Sequence, residues 1–532
     1  MKKIHIKEKG WIHAEFRTAD RMEWVLLLNT IKRIPGRLFE KNIKMWAVPD
    51  NEESRKILNA AGFPVEAVPT QPVEEEQPYE PEWLNLKIPV FPGKELLRPY
   101  QIDALKFLHH RKGRGLIADE MGTGKTVQSL SYAKMKQGLR PILMIVTAST
   151  KIQWQREYIK WLGEDNVYIL SGKKPYKLSP GASYIINWDI LACWKKELDA
   201  HKFKLLIGDE IQAIANAGTQ RTRACMSLGK KISKFIALSG TPVKSRPRQF
   251  FSCLNMIDPD KFPNRQKFLI RYCDPQYDGF TIKYDGLSNS NELRNKARPL
   301  MIRRRKKDVL KDLPAKIRTV VPIELKDWTK YESQLQTIRN SFGVDRNVQL
   351  GKLSRTSFTE KKDVITTWIQ EFLQTGEKLL VFAYHRPVVN FIHESFKYTA
   401  VKIMGGITGK AREKAIQEFI NGDKNLMVAN ILAAGVGIDG LQKSCSNAAV
   451  VEFPANPGDL FQAEDRLHRI GQMSQVNIYY LAGIGTIDEI HIDNLDTKTE
   501  MTSRVVDGET DQDDLINKIL EKALDYKHQR DK

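Results

Sequence analysis

The sequence predicts an α/β fold in two successive lobes, each a parallel sheet flanked by helices, behind a small N-terminal α+β module. Three observations point there. From 141 to 210, apolar runs at Ile142–Val146, Val167–Leu170, Tyr184–Ile186 and Leu205–Ile207 alternate with helical stretches. They lack the apolar–polar alternation of a half-exposed strand, which fits a parallel sheet covered on both faces. A second series begins near 365, with strands at Lys378–Ala383 and Lys424–Ala429. Between the strand end Leu116–Ala118 and a helical pattern holding Val127, Leu130 and Ala133 lies Asp119-Glu120-Met121-Gly122-Thr123-Gly124-Lys125-Thr126. Strand, glycine-containing loop and helix is the setting a phosphate-binding loop requires.

Composition bounds the partners. The chain has 532 residues, 41% of them hydrophobic and 28% charged, which suits a globular protein of about three domains. A net charge of +20 predisposes it to polyanions, nucleic acid before acidic membrane surface. The five cysteines are far apart, with no metal-ligand spacing, as expected of core residues in a reducing compartment. No apolar h-region follows Met1-Lys2-Lys3, and no apolar run approaches a membrane span. An intracellular protein is expected.

The N-terminal module, 1–66, reads as strand-strand-helix twice over. Ile4/Ile6 and Ile12/Ala14/Phe16 alternate around Lys7–Gly10 as a hairpin, and Asp20 with Glu23 caps a helix. Arg37–Phe39 and Met45–Val48 form the second hairpin, before a helix opened by Asp50 and Glu53. Residues 67–94 read as an acidic, proline-rich linker.

In the first lobe, 95–325, the helix at Arg98-Pro99-Tyr100-Gln101 precedes the glycine loop. A glutamine amide there can both donate to and accept from adenine. In the loop, backbone N–H groups at the helix start favour phosphate, Lys125 suits the β- and γ-phosphates, and Thr126 suits Mg²⁺. The strict motif wants a glycine where Asp119 stands, and an ordinary strand-to-helix turn is the alternative. Asp209 and Glu210 end a buried strand, where two carboxylates need a cationic partner. Asp209 suits water-mediated Mg²⁺ and Glu210 suits activation of an attacking water; two exposed loop acids are the alternative. Leu238–Pro242 offers hydroxyls after another strand. Residues 243–310 break the βα repeat, and Arg303–Lys307 supplies five consecutive cations, fitted to a phosphate backbone, to bridging the lobes, or to a solvated helix face. Residues 326–364 read as a connector.

In the second lobe, 365–505, Ala433–Asp439 is a glycine-rich turn containing Gly437. Gln462, Arg466 and Arg469, spaced four and three apart on a helix, share one face, and two arginines so placed can clamp a phosphoryl group. The alternative is a surface helix with Asp465–Arg469 and Glu464–His468 pairs. Residues 506–532 form a charged tail.

These segments together resemble the Swi/Snf family of ATP-dependent duplex-DNA translocases, within helicase superfamily 2. Gln462-Ala-Glu-Asp-Arg-Leu-His-Arg-Ile-Gly-Gln472 is the most specific part, and Arg303–Pro314 resembles another family element. Ile34–Phe39 with Lys44–Pro49 resembles the HARP domain of the annealing-helicase branch. The resemblance implies two RecA-like lobes with helical insertions, and ATP and Mg²⁺ between the lobes. From lobe 1 it implies Arg98, Gln101, Asp119–Thr126, Asp209 and Glu210, with Thr126 and Asp209 on the metal. From lobe 2 it implies Gly437, Asp439, Gln462, Arg466 and Arg469. It further implies translocation on double-stranded or forked DNA, with remodelling or annealing. A strand-separating helicase and an ATPase-inactive DNA-structure binder are the other readings. Gln212 stands where the family usually has histidine, and Asp439 where asparagine is common. No histone-reading segment is visible, which suits a bacterial, archaeal or phage protein in cytoplasm or nucleoid, or a nuclear one if eukaryotic.

Overall fold

The computed structural model describes residues 2–8, 11–16, 20–34, 37–40, 45–49, 52–63, 81–240, 247–277, 282–284, 286–340, 346–407, 409–435 and 438–493. The tail, the first half of the linker (67–80) and Gly437 therefore lie outside the described residues.

The first lobe is built on a seven-stranded sheet. Its order is Met301–Ile302, Arg114–Ile117, Lys234–Leu238, Leu205–Asp209, Ile142–Val146, Ser183–Asn187 and Val167–Ile169, every pair parallel. Successive side chains of a strand leave opposite faces. Leu143 and Ile145 accordingly enter one core with Tyr184, Ile186 and Phe235. Ile142, Met144 and Val146 enter another, beneath Leu105, Leu108, Trp154 and Tyr158. Both faces are covered, which is why these strands read as unbroken apolar runs. The register sets Leu238 beside Ile117 on one side and Asp209 on the other. One row therefore lines up the strand ends that lead into the glycine loop, the paired carboxylates and Ser239.

Residues 247–300 contribute helices Phe251–Ile257, Arg265–Tyr272 and Ser290–Ala297, which close one face through Phe251, Leu254, Phe268 and Leu293. The chain then returns to the sheet as Met301–Ile302, an edge strand too short to announce itself in sequence.

The second lobe carries a six-stranded parallel sheet in the order Lys316–Ile323, Val476–Gly483, Asn447–Val450, Leu379–Ala383, Leu426–Asn430 and Ala400–Ile403. Two expectations change here. Lys316–Ile323 falls within the stretch assigned to the first lobe, yet it pairs along its whole length with Val476–Gly483. As an edge strand it is half solvated, with Ile317 and Val320 exposed, so it lacks the apolar run of the central strands. The polar connector contains a 28-residue helix, Arg346–Leu373. Its Phe358, Ile365 and Ile369 pack into the second-lobe core, and Ser357 and Lys361 are buried with them.

The linker also shortens. Trp83 stacks edge-on against Phe107 at 5.8 Å, and Ile88 and Phe91 are buried in the first-lobe core. Residues 81–94 thus line the lobe. The N-terminal module is an antiparallel sheet in the order Lys2–Glu8, Trp11–Phe16, Met45–Pro49, Leu38–Glu40, with helices Arg21–Arg33 and Glu52–Ala60. Asp20 caps the first helix by accepting from the Met22 and Glu23 amides. Ile12, Leu27, Ile31, Val48 and Leu58 form its separate core. All five cysteines are free and four are buried. Among the described residues no helix is long and apolar enough to cross a membrane.

A buried ion pair fastens the long helix to the end of the second sheet. Lys361 donates to Asp488 at 2.6 Å and to the Leu481 carbonyl at 2.7 Å, and Asp488 also accepts from Ser357 and the Gly483 amide. The two side chains are 1% and 2% exposed. Removing one partner leaves the other charged and buried, which costs about 3–5 kcal/mol. Lys361→Met should lose about that much stability in urea unfolding followed by circular dichroism; a loss below about 1 kcal/mol, the size of an exposed pair, would contradict the role assigned to it.

Candidate functional site

The glycine loop turns where glycine is required. Gly122 and Gly124 have φ of +81° and +83°, in the left-handed region that costs other residues about 1–2 kcal/mol. Helix Lys125–Met135 follows, with Thr126 in its first turn. Thr123 is fully buried; its hydroxyl donates to the Glu120 carbonyl, and its own carbonyl accepts from Tyr100, Gln101 and Gln128. Gln101 lies against the loop, so close that a Cβ on Gly124 would meet its Nε2 at 2.6 Å. Its Oε1 accepts from the Arg98 amide at 3.0 Å. The Arg98 guanidinium turns away and pairs with Asp312 through two 2.9 Å hydrogen bonds.

Asp119, the residue in the expected glycine position, is fully buried. Arg304 grips its carboxylate with Nε and Nη2, the former at 3.0 Å, and donates to the Tyr100 carbonyl as well. Arg303 donates to the carbonyls of Ala118 and Gly240. Glu120 receives the Lys306 amide at 2.6 Å and donates its own N–H to the Arg304 carbonyl. The cationic run is thus a brace behind the loop. Its Lys306 crosses to the second lobe, pairing with Asp465 at 2.7 Å and donating to the His468 carbonyl at 2.8 Å. Against the opposing effect of burial, Lys306 and Lys316 hold the Asp465 carboxyl down to about 2. Arg305 and Lys307 remain exposed. Arg304 and Lys306 were visible in sequence as charge, but not as partners of Asp119 and Asp465.

Lys125 is half-buried at the head of its helix and donates to the Asp119 and Glu120 carbonyls at 2.9 and 3.2 Å. Burial lowers its ammonium pKa, opposed by Glu210, Asp119 and Asp209. Asp209 sits at the neighbouring strand end. Burial and the adjacent Glu210 push its carboxyl up to about 6, opposed by Trp154 and Lys125. Two indoles fix it: Trp154 donates to its Oδ2 and Trp188 to its backbone carbonyl, both at 2.9 Å. Sequence reading singled out neither tryptophan.

Glu210 has φ of +50°, the left-handed region, an uncommon and strained setting for glutamate. The strain aims its carboxylate into a chain of amides. Gln212 Nε2 donates to Glu210 Oε2 at 2.5 Å, Ser239 donates to Gln212 Oε1 at 2.8 Å, and Gln462 Nε2 donates to Glu210 Oε1 at 3.1 Å. The last bond crosses from the second lobe. Thr241 lies outside the described residues.

The expected helix over Gln462–Arg469 ends early. Helix Pro457–Glu464 stops, and the chain turns through 465–470. Partners from elsewhere in the chain claim the residues at its end: the fully buried Glu464 is held by Lys316, Arg318 and Tyr480, and Asp465 by Lys306. The surface pairs Glu464–His468 and Asp465–Arg469 do not form. Arg466 is half-buried and donates to the carbonyls of Gly435 and Ile438. Burial, followed by repulsion from Arg469, lowers its guanidinium to about 10, so it stays charged at neutral pH. Arg469 packs on the glycine loop; a Cβ on Gly122 would meet its Cβ at 2.8 Å. Its guanidinium lies 2.9 Å from Asp439. Met121 fills the space beside Gly240. Lobe 1 and lobe 2 residues therefore converge on the Glu210 carboxylate and the loop, with Arg98 at the margin.

Replacing Arg304 with methionine would strand the Asp119 charge. Arg304→Met should destabilise the chain by about 3–5 kcal/mol, and Arg304→Met with Asp119→Leu should recover most of that loss, because an apolar pair of similar volume removes both desolvation penalties. Equal destabilisation of single and double variants in denaturant titration would contradict this account of the brace.

The chain has known relatives. A SNF2-related domain matches residues 100–385, and a helicase conserved C-terminal domain matches 361–471. The SWI/SNF-related matrix-associated actin-dependent regulator of chromatin subfamily A-like protein 1 of Xenopus laevis is 34% identical over 414 residues, 74% of this chain and 42% of that protein. Its Caenorhabditis elegans homolog is 30% identical over 506 residues, 90% of this chain and 73% of that protein. The human DNA annealing helicase and endonuclease ZRANB3 is 30% identical over 438 residues, 77% of this chain and 40% of that protein. The chain spans less than half the length of the frog and human relatives. With these two domains in succession over two parallel-sheet lobes, the chain belongs to the SNF2-related family.

Proposed function

We propose that this chain is a DNA-dependent ATPase that moves along double-stranded or forked DNA and uses ATP hydrolysis to remodel or anneal DNA structures. One observation carries the reading. Glu210, at a first-lobe strand end near Lys125, accepts a hydrogen bond from Gln462 of the second lobe. A carboxylate shared between lobes in this way can link the chemistry of a nucleotide to their relative position.

Each residue has a chemical task in this reading. Lys125 and the N–H groups of Gly122–Thr126 bind the phosphates, and Gln101 reads the base beside them. Glu210 orients and deprotonates the attacking water. Arg466 and Arg469 neutralise charge that develops on the transferred phosphoryl group. Gln462 and Gln212 hold Glu210 in place, and Ser239 ties this arrangement to the next strand. A divalent metal fits the donor set. Among the described residues no group of three or more His, Cys, Asp or Glu side chains could enclose an ion. Asp209 and Thr126 would hold Mg²⁺, which keeps most of its waters and takes phosphate oxygens as further ligands. When bound it would draw charge off the phosphates.

The nucleic-acid part rests on the net charge of +20 and on the relatives, one of which is named a DNA annealing helicase. The N-terminal HARP-like module would recognise DNA structure such as a fork. A strand-separating helicase and an inactive DNA binder share the fold but differ in the assay that follows.

ATP turnover measured with no nucleic acid, single-stranded DNA, duplex, forked DNA and RNA should be highest with duplex or fork and fall steeply with salt. Lys125→Ala should abolish turnover while leaving DNA binding in place. Equal rates under all five conditions, or full activity of the variant, would overturn the proposal.

A further inference from the structure

Asp439 makes two contacts that no role in phosphate binding explains. Its Oδ1 lies 2.9 Å from Arg469, and its Oδ2 accepts from Gln153 of the first lobe at 3.3 Å. A carboxylate is a poor phosphate ligand, since like charges repel. It is a good rival for the arginine that a phosphate would claim. Among the described residues, Asp439 is the one anion within ion-pair distance of Arg469.

The other end of the contact is equally specific. Gln153 stands on helix Lys151–Leu162, next to Trp154, whose indole donates to Asp209. Arg156, one turn along, pairs with Glu413 of the second lobe at 2.9 Å. One helix thus touches Asp209 through one residue and the second lobe through two others. Motion of Asp439 relative to that helix would be felt at a carboxylate of the candidate site.

We propose that Asp439 is a positioning residue that competes with the terminal phosphate of a nucleoside triphosphate for Arg469, and that the exchange is passed through Gln153 to helix Lys151–Leu162. The proposal rests on the nucleotide-site reading above. It explains why aspartate, with a full charge, can stand where the family commonly has asparagine: the charge makes engagement of Arg469 conditional on a γ-phosphate. A nucleoside diphosphate, lacking that group, gains less from Arg469 and should be less sensitive to the rival.

The test uses the full chain. Fluorescent N-methylanthraniloyl-ADP is bound and then displaced by ADP or by the slowly hydrolysed analogue ATPγS. Asp439→Asn keeps the shape and removes the charge, and should raise the preference for ATPγS over ADP about fivefold, the scale of one partly exposed ion pair. Asp439→Glu keeps the charge and should keep the wild-type preference. Gln153→Leu should leave the preference unchanged and reduce stimulation of turnover by DNA. An unchanged preference in Asp439→Asn, or the same shift in Asp439→Glu, overturns the competition. Full DNA stimulation in Gln153→Leu overturns the transmission. A wild-type chain that binds neither nucleotide overturns the site reading instead, and the two failures are therefore distinct.

Discussion

Asp119 is fully buried, and an isolated carboxylate there would shed its charge or unfold its surroundings. Arg304 meets it with two guanidinium nitrogens, and this pair fixes the rest of the site. The loop that follows Asp119 takes its path from it. The carbonyls of Ile302 and of Arg304 itself accept from the Ala118 and Glu120 amides, so the pairing of Met301–Ile302 with the neighbouring strand is carried on into the loop. Two residues later Lys306 reaches Asp465 across the cleft. One short cationic segment therefore sets the shape of the glycine loop and its relation to the second lobe. In glycine's place, Asp119 supplies the anchor that makes such a brace possible.

The strand register does the remaining assembly. Ile117, Leu238 and Asp209 share a row, so the groups just beyond them meet although about 120 residues separate the first from the last. From this edge a hydrogen-bonded chain runs from Ser239 through Gln212 and Glu210 to Gln462. Glutamine serves at position 212 because its amide accepts from the serine and donates to the glutamate at once. A neutral histidine could do the same through its two nitrogens, which is the physical sense of that departure from the family pattern.

What could be read in the sequence was local. Gly122, Gly124 and Lys125 carry their meaning in a few residues, and buried parallel strands such as Ile142–Val146 are apolar throughout. What could not be read was long-range or half-solvated. The Asp119–Arg304 pair spans 185 residues, and nothing near either one names the other. Lys316–Ile323 fell inside the first-lobe bounds because an edge strand keeps its polar residues, and the connector read at 326–364 hid most of the helix Arg346–Leu373. Gln462, Arg466 and Arg469 were expected on one helical face. Their convergence survives for another reason: the chain leaves the helix at Glu464, where Lys316, Arg318 and Lys306 hold it, and a turn presents the arginines. Trp154 went unremarked in the sequence; it is a buried core residue whose indole N–H also donates to Asp209.

The central claim is that the site is complete only when both lobes contribute to it. Arg466 tests this most directly, because it stands on the second lobe, held by the Gly435 and Ile438 carbonyls, and feels the charge of Glu210 of the first. Arg466→Ala should bind fluorescent ADP within a few-fold of wild type, while its DNA-stimulated ATP turnover falls at least about a hundredfold. Binding intact with turnover near the wild-type rate would show that the first lobe hydrolyses ATP without the second, and would contradict the account.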